Sequence, residues 1–325
     1  MLHVRFARNF IAAAVAAVCL CATQAGAQTY PANKITIVVG FAPGGFADTL
    51  ARLIGKGLTE RLHQTVVVEN RPGAGGNIAA GVVARAEPDG YTLLATTTAL
   101  AINETLHENN PFSRTDLAAV AIAASSPEAL ATRAANPANN LVDFLKEMKG
   151  RPINFGSAGV GTGSHIEAAY FFQFLAKAPA QHIPYQGGAP AINATLGGDI
   201  DLLATTLGGP AAAQIAAGKL KGLGIAADKR AAVVPNVPTY AEQGFPGFTA
   251  ASWVGIFAPA KTDPKILATL NQTINDVLKT PDVKQRLIDV GFDPIVGTQT
   301  EADAMFNAEI DKWGKMVKSL GLSIK

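Results

Sequence analysis

Ile35-Thr36-Ile37-Val38-Val39-Gly40-Phe41-Ala42-Pro43-Gly44-Gly45-Phe46-Ala47-Asp48 is the stretch on which the fold turns. Ile35 to Val39 is a short apolar run, the pattern of a strand buried on both faces. Pro43, Gly44 and Gly45 break it. From Ala47 to His63 the period changes: Leu50, Leu53, Ile54, Leu58 and Leu62 fall on one face of a helix. Strand, glycine-rich loop and helix thus follow each other within thirty residues of chain. Further on, Thr65 to Val68 reads as a strand, a glycine-rich turn and a helix follow, and Tyr91 to Ala95 reads as another strand. Strands alternating with helices predict βαβ units and a mostly parallel sheet.

The pattern restarts beyond a loop marked by Asn136, Pro137, Asn139 and Asn140. Leu141 to Met148 reads as a helix and Ile153 to Phe155 as a strand. A second glycine-rich loop and a helix around Ile166 to Leu175 follow. His182 to Tyr185, Ile200 to Ala204 and Leu220 to Ala226 are further strands. The last stretch is helical. Asp263 can cap and Pro264 can start one helix, with Leu267, Leu270, Ile274 and Val277 on its apolar face. Phe306, Ile310, Trp313, Val317 and Leu320 line another. No tandem repeat of solenoid length is present.

The N-terminus predicts export. Arg5 and Arg8 precede an apolar run from Phe10 to about Ala22, and Ala25-Gly26-Ala27 supplies the small residues of a cleavage site. The run is shorter than the roughly 20 apolar residues of a membrane span. A secretory signal over residues 1–27, cleaved after Ala27, and a periplasmic destination are therefore expected. Cys19 and Cys21 would leave with it, so the mature chain would have no disulfide, cysteine metal site or thiol nucleophile. The signal holds two of the 27 basic residues and none of the 25 acidic ones, which leaves 25 of each sign. A balanced charge without a basic block disfavours nucleic acid as a partner. With 48% apolar and 16% charged residues, the chain has the composition of a folded globule.

Two loops could carry chemistry. In Phe41 to Asp48, glycines let the backbone approach a ligand, and the helix that follows offers unpaired N–H groups and partial positive charge. Such a site favours an anion. On the other reading the glycines only form a tight turn and Asp48 only caps the helix. The second loop, Gly156 to His165, has the same donors and adds the hydroxyls of Ser157, Thr162 and Ser164. His165 falls in the first turn of its helix, in a structural or a functional role. If the two loops face each other, both helix ends could clamp one carboxylate. A third cluster, Arg71-Pro72-Gly73-Ala74-Gly75-Gly76-Asn77, lacks the dinucleotide-binding spacing and reads as a structural turn. Enzyme signatures are missing: Phe155 occupies the first glycine position of a G-x-S-x-G frame around Ser157, and there is neither a phosphate-binding G-x-x-x-x-G-K-[ST] nor an H-E-x-x-H.

The ordered series of motifs resembles the solute receptors of tripartite tricarboxylate transporters, the TctC or Bug family. It begins with Tyr30-Pro31 and the loop ending at Asp48, and continues through Glu69 to Asn77, Asp89-Gly90-Tyr91-Thr92-Leu93-Leu94 and the Gly156 to His165 loop. His182-Ile183-Pro184-Tyr185-Gln186-Gly187, Val237-Pro238-Thr239 and Glu242-Gln243-Gly244 extend it over essentially the whole mature chain. The resemblance implies an α/β type II periplasmic-binding-protein fold, with two lobes joined by a two-crossing hinge near Ser126 and Ser252. One lobe would comprise residues 28–126 plus 253–325 and the other 127–252. It also implies that backbone amides and ordered waters of the two loops grip a ligand carboxylate. The residues so indicated are Gly44, Gly45, Phe46 and Asp48 in one lobe, and Ala158, Gly159, Val160, Gly161, Thr162 and His165 in the other. Asp48 would position water, and Thr162 would donate its hydroxyl. Phe46, where many members have a small residue, would either wall the cleft or pack beneath the loop. Asn103-Glu104 departs from the Asn-Pro of many members. Thr97, Thr98, Thr205 and Thr206 follow strands and would line the far end of the cleft.

The implied protein is a monomeric, non-catalytic receptor with no metal or cofactor, which passes a small carboxylate to the membrane subunits of a transporter. Two other readings stay open. A periplasmic hydrolase or transferase on the same fold would use Ser157 or Ser164 with His165. A sensor would dock on a membrane signalling protein.

Overall fold

Isoleucine and valine fit a pleated interior that is covered on both sides, and β1 (Ile35–Val39) occupies such a place, with Ile35, Ile37 and Val39 fully buried. The computed structural model describes residues 30–325, so the expected signal and its cleavage site lie outside the described residues. Then follow α1 (Phe46–Leu62), β2 (Val66–Asn70), α2 (Asn77–Ala84), β3 (Thr92–Thr97), α3 (Ala99–Leu106) and a 17-residue strand, β4 (Leu117–Arg133). The second series is α4 (Leu141–Glu147), β5 (Ile153–Ser157), α5 (Gly163–Tyr170), β6 (Ala180–Pro184), α6 (Gly188–Gly197), β7 (Leu202–Thr206), α7 (Pro210–Ala216) and β8 (Leu220–Ile225). The chain returns through β9 (Ala251–Pro259), α8 (Pro264–Lys279), α9 (Pro281–Asp289), the short β10 (Asp293–Pro294) and α10 (Gln299–Leu320). The strands and helices read from the sequence are present, with ends within three residues except that the helix read to Leu175 is α-helical only to Tyr170 and continues as a π-helix over Phe171–Ala176. Asp263 caps α8 by accepting the Lys265 N–H.

The strands lie in the order β2-β1-β3-β9-β4-β7-β5-β6, with β8 and β10 also paired to β4. Each half of this sheet has a parallel set: β1 pairs with β2 and β3, and β5 with β6 and β7. The middle is antiparallel. β4 pairs with β9 from Leu117↔Pro259 to Pro127↔Ala251, then leaves it for β7 and β8. Ser126 and Ser252 are paired at this change of partner. Residues 34–325 form one compact unit.

Two apolar cores flank the sheet. One gathers Val38, Leu94, Trp253, Phe257 and Phe306, the other Phe144, Phe155, Phe171 and Tyr240. α10 serves both: Ala302 and Phe306 enter the first, and Trp313, Val317 and Leu320 the second. Its heptad-like spacing thus buries one face along two different partners. No helix among the described residues is long and apolar enough to cross a membrane.

Candidate functional site

Each glycine-rich loop is held by its own polar network. At the head of α1, one Asp48 carboxylate oxygen accepts the Gly44 N–H and the Arg52 Nε–H, both at 2.9 Å, and the other accepts Asn70 Nδ2 at 2.8 Å. Asn70 Nδ2 also donates to the Phe41 carbonyl, which ties the loop to the end of β2. Burial works to raise the Asp48 pKa, but the hydrogen bonds from Arg52, Gly44 and Asn70 outweigh it and hold the carboxyl below its usual range.

At the head of α5 the anchors are neutral. Thr162 caps the helix by accepting the His165 N–H and donates to the Gly159 carbonyl at 2.7 Å. His165 Nδ1 accepts the Gly161 N–H at 3.3 Å, which places its own proton on Nε2. Its ring stacks on His182 at 3.9 Å between centroids, and His182 Nε2 lies 2.7 Å from Ser157 Oγ. Burial keeps both imidazoles neutral, pushing His165 down to about 4 and His182, with His165 beside it, down to about 3.

Between the loops lies a cavity of about 40 Å³. Four helices begin on its wall: Gly45, Phe46 and Ala47 come from the start of α1, Thr162, Gly163 and Ser164 from α5, Gly188 from α6, and Pro210 and Ala211 from α7. Thr97, Thr205, Thr206 and Ser252 add hydroxyls, and Phe41 and Ile192 add apolar surface. No residue of this lining is charged. Helix N-termini carry unpaired N–H groups and partial positive charge, so the wall suits an anion without any basic side chain.

Of the residues singled out in the sequence, Gly45, Phe46, Thr97, Ala158, Thr162, Thr205 and Thr206 line this cavity. Phe46 lines the cavity and also stacks on Phe292 at 4.8 Å. Gly44, Asp48, Thr98, Gly161 and His165 do not line the cavity. Gly44 and Asp48 secure the first loop, Gly161 and His165 the second, and Thr98 is buried against Ser252 at 2.7 Å. The Thr162 proton points to the Gly159 carbonyl rather than into the cavity. Gly159 and Val160 line a neighbouring cavity of about 220 Å³ instead, together with Gly73 to Gly76. There the third glycine cluster makes a close approach. A Cβ on Gly75 would stand 2.3 Å from the Val160 carbonyl oxygen, so only glycine lets the two loops meet.

Sequence reasoning did not single out Ser252, Gly188, Ile192, Pro210 and Ala211 as cavity residues, and it named Ser164 as a hydroxyl of the second loop and as a nucleophile of the alternative enzyme reading, not as a cavity residue. Ser164 was legible from its place one residue after a helix start. Ser252 was legible only as a crossing point.

Residues 50–322 match the sequence profile of the tripartite tricarboxylate transporter family receptor. The chain belongs to this receptor family. Protein BugT of Bordetella pertussis is 34% identical over 94% of the receptor and 94% of its own length. Among solved structures, an R. palustris protein with adipate is 30% identical, with a TM-score of 0.86 over 90% of the receptor and 99% of that chain. MatC from Rhodopseudomonas palustris with bound malate is 32% identical, with a TM-score of 0.83 over 89% and 100%. The receptor therefore has the periplasmic-binding-protein fold expected from the motif series, and the receptors of its family are periplasmic. It is a solute-binding protein of the transporter family.

Proposed function

We propose that the receptor binds a small carboxylate in the cavity between the two loops and delivers it, as a single chain, to the membrane subunits of a tripartite transporter. The observation that carries this reading is the start of four helices on one small, uncharged, hydroxyl-rich wall. Two relatives of the same fold were solved with carboxylates, adipate and malate. In this reading Gly45, Phe46, Ala158, Thr162, Thr205 and Thr206 face the ligand, while Asp48 and His165 hold the loops that do so.

Capture would proceed by hinge closure of two lobes, 28–126 plus 253–325 and 127–252, about the paired Ser126 and Ser252. No chemistry is proposed. Ser157 and His182 are close enough for a nucleophile and a base, but Ser157 is fully buried and does not line the cavity, which counts against a catalytic role for it.

A thermal-shift screen of residues 28–325 against mono-, di- and tricarboxylates, after unfolding and refolding to strip carried ligand, tests the reading. A rise in Tm with an acid supports it, because ligand bound to the native state stabilises it by mass action. A flat response over the whole panel refutes it.

A further inference from the structure

Behind the cavity wall lies a carboxyl group that neither loop uses. Glu128 is fully buried. It sits where β4 changes partners, and none of the ion pairs among the described residues includes it. Its Oε1 accepts Ser252 Oγ at 2.5 Å and Thr206 Oγ1 at 3.3 Å. Its Oε2 is buried with no hydrogen-bond partner. Ser252 also contacts Thr98 at 2.7 Å. The first residue of α5 closes over the group: a Cβ on Gly163 would stand 2.5 Å from Oε1 and 2.2 Å from Ser252 Oγ. The network thus gathers residues 98, 128, 163, 206 and 252 from five separate segments and from both halves of the sheet.

Ser252 and Thr206 are also cavity residues. Each hydroxyl has one proton. With Glu128 ionised, both protons turn to the carboxylate, and these two hydroxyls present only their lone pairs to the cavity. With Glu128 protonated, the carboxyl supplies its own donor, and both hydroxyls are free to donate into the cavity. The state of one buried carboxyl therefore decides whether the inner end of the cavity accepts or donates hydrogen bonds.

We propose that Glu128 is the specificity-determining residue of the inner end of the cavity, and that closure on an anionic group there takes up one proton from solvent at its carboxyl. The inference rests on the carboxylate-binding reading and deepens it. An anion facing an ionised Glu128 would meet two lone-pair oxygens and a like charge with no basic side chain between them. Burial pushes Glu128 up to about 7, with the Ser252 and Thr206 hydrogen bonds opposing. The titratable groups that bear on it are Glu167 of α5, itself buried, and Tyr240, whose hydroxyl donates to Glu167. Both add negative charge when ionised and so favour the protonated form of Glu128. Opening the lobes would separate Thr98 from Gly163 and Thr206 and let water reach the carboxyl, returning it towards the ordinary range. Closure then binds the proton.

Calorimetric titration of the ligand-free receptor with malate and with adipate, in buffers of different ionisation enthalpy, counts protons directly. At about pH 6 the wild type is expected to take up close to one proton per ligand, and its affinity to fall about tenfold between pH 6 and 8. Glu128→Gln, which is neutral at every pH, should bind with little proton uptake and a flat pH profile over that range. Binding by the wild type with no proton uptake overturns the inference and leaves the carboxylate reading intact, and this measurement needs no variant to fold. Uptake that persists unchanged in E128Q overturns it as well. No binding of either acid at any pH, with no acid of the wider panel raising Tm, removes the carboxylate reading and this inference with it.

Discussion

Asp48 at the head of α1 gathers Gly44, Arg52 and Asn70 around a charge, whereas Thr162 at the head of α5 works with Gly159, Gly161 and two stacked, neutral imidazoles. Both loops present a helix start to the same cavity. In the first, Asp48 is itself buried, and its charge is held by hydrogen bonds from Gly44 and Asn70 and by Arg52, whose side chain is half exposed. The second lies over the core that holds Phe155 and Phe172, where a charge would be costly and hydroxyls and neutral rings do the same work. One backbone design is therefore held by two chemistries, a charge compensated by Arg52 and polar donors in one loop and neutral groups in the other.

The largest expected effect comes from removing the charged anchor. Asp48→Ala leaves the Gly44 N–H without its acceptor, strips Asn70 of one of its two and leaves Arg52 unpaired, and should lower the unfolding free energy by about 2–3 kcal/mol, read by urea denaturation. Ligand affinity should fall with it, because the loop loses its fixed shape. An unchanged affinity would show that the first loop does not grip the ligand.

Next comes a matched pair of glycine substitutions. Gly163→Ala drives a methyl group into Ser252 Oγ and Glu128 and should cost about 1–3 kcal/mol. Gly45→Ala meets only the Ala42 carbonyl oxygen and the Gly188 nitrogen at 3.6 Å, an ordinary contact, and should stay within about 1 kcal/mol. Equal melting temperatures for the two variants would erase the difference in packing between the loops.

A pH scan separates the chemistries at about 1 kcal/mol per pH unit for each group that titrates differently in the two states. His165 and His182 stay neutral when folded, so the unfolded chain binds more protons below about 6.5, and stability is lost as pH falls from there towards about 4 and 3. In the closed, ligand-bound receptor Glu128 and Glu167 have the opposite sign. Burial raises them to about 7 and about 8, so stability is lost as pH rises from the ordinary carboxyl range through those values. Between about pH 4.5 and 6.5 the two slopes cancel, and stability should be flat there. His182→Gln should tilt that plateau, making the protein relatively more stable at its acid end. Asp48, whose pKa is lowered, keeps its contribution until the pH falls below its usual value. A plateau unmoved by H182Q would mean that the imidazoles do not set the acid limit.

The smallest effect belongs to Arg52. Its side chain is 51% exposed, so Arg52→Ala should cost less than about 1 kcal/mol and leave binding nearly unchanged. A loss as large as that of Asp48→Ala would make the ion pair, rather than the hydrogen bonds to Gly44 and Asn70, the anchor of the first loop.

The long strand β4 marks the limit of what was legible. Residues 117–133 are rich in alanine and contain Pro127, both poor strand signals, and sequence reading left them unassigned except for a crossing near Ser126. In the structure the small side chains let α8 and α10 press against a strand buried almost throughout, and Pro127, paired with Ala251, is the last residue of β4 before it leaves β9. Glu128 was missed for the same reason. An isolated glutamate looks solvated until the fold closes over it.

The sequence by itself determined the alternation of strands and helices, the two glycine-rich loops and the family, because periodicity, turn chemistry and motif order are local properties of the chain. Only the tertiary structure decided which of those loop residues face the cavity, which ones instead hold the loops, and that Ser252, Thr206 and a buried Glu128 stand at its inner end. These facts depend on segments up to 154 residues apart meeting at one place, as Thr98 and Ser252 do, and on the burial that turns an ordinary carboxyl into one that keeps its proton near neutral pH.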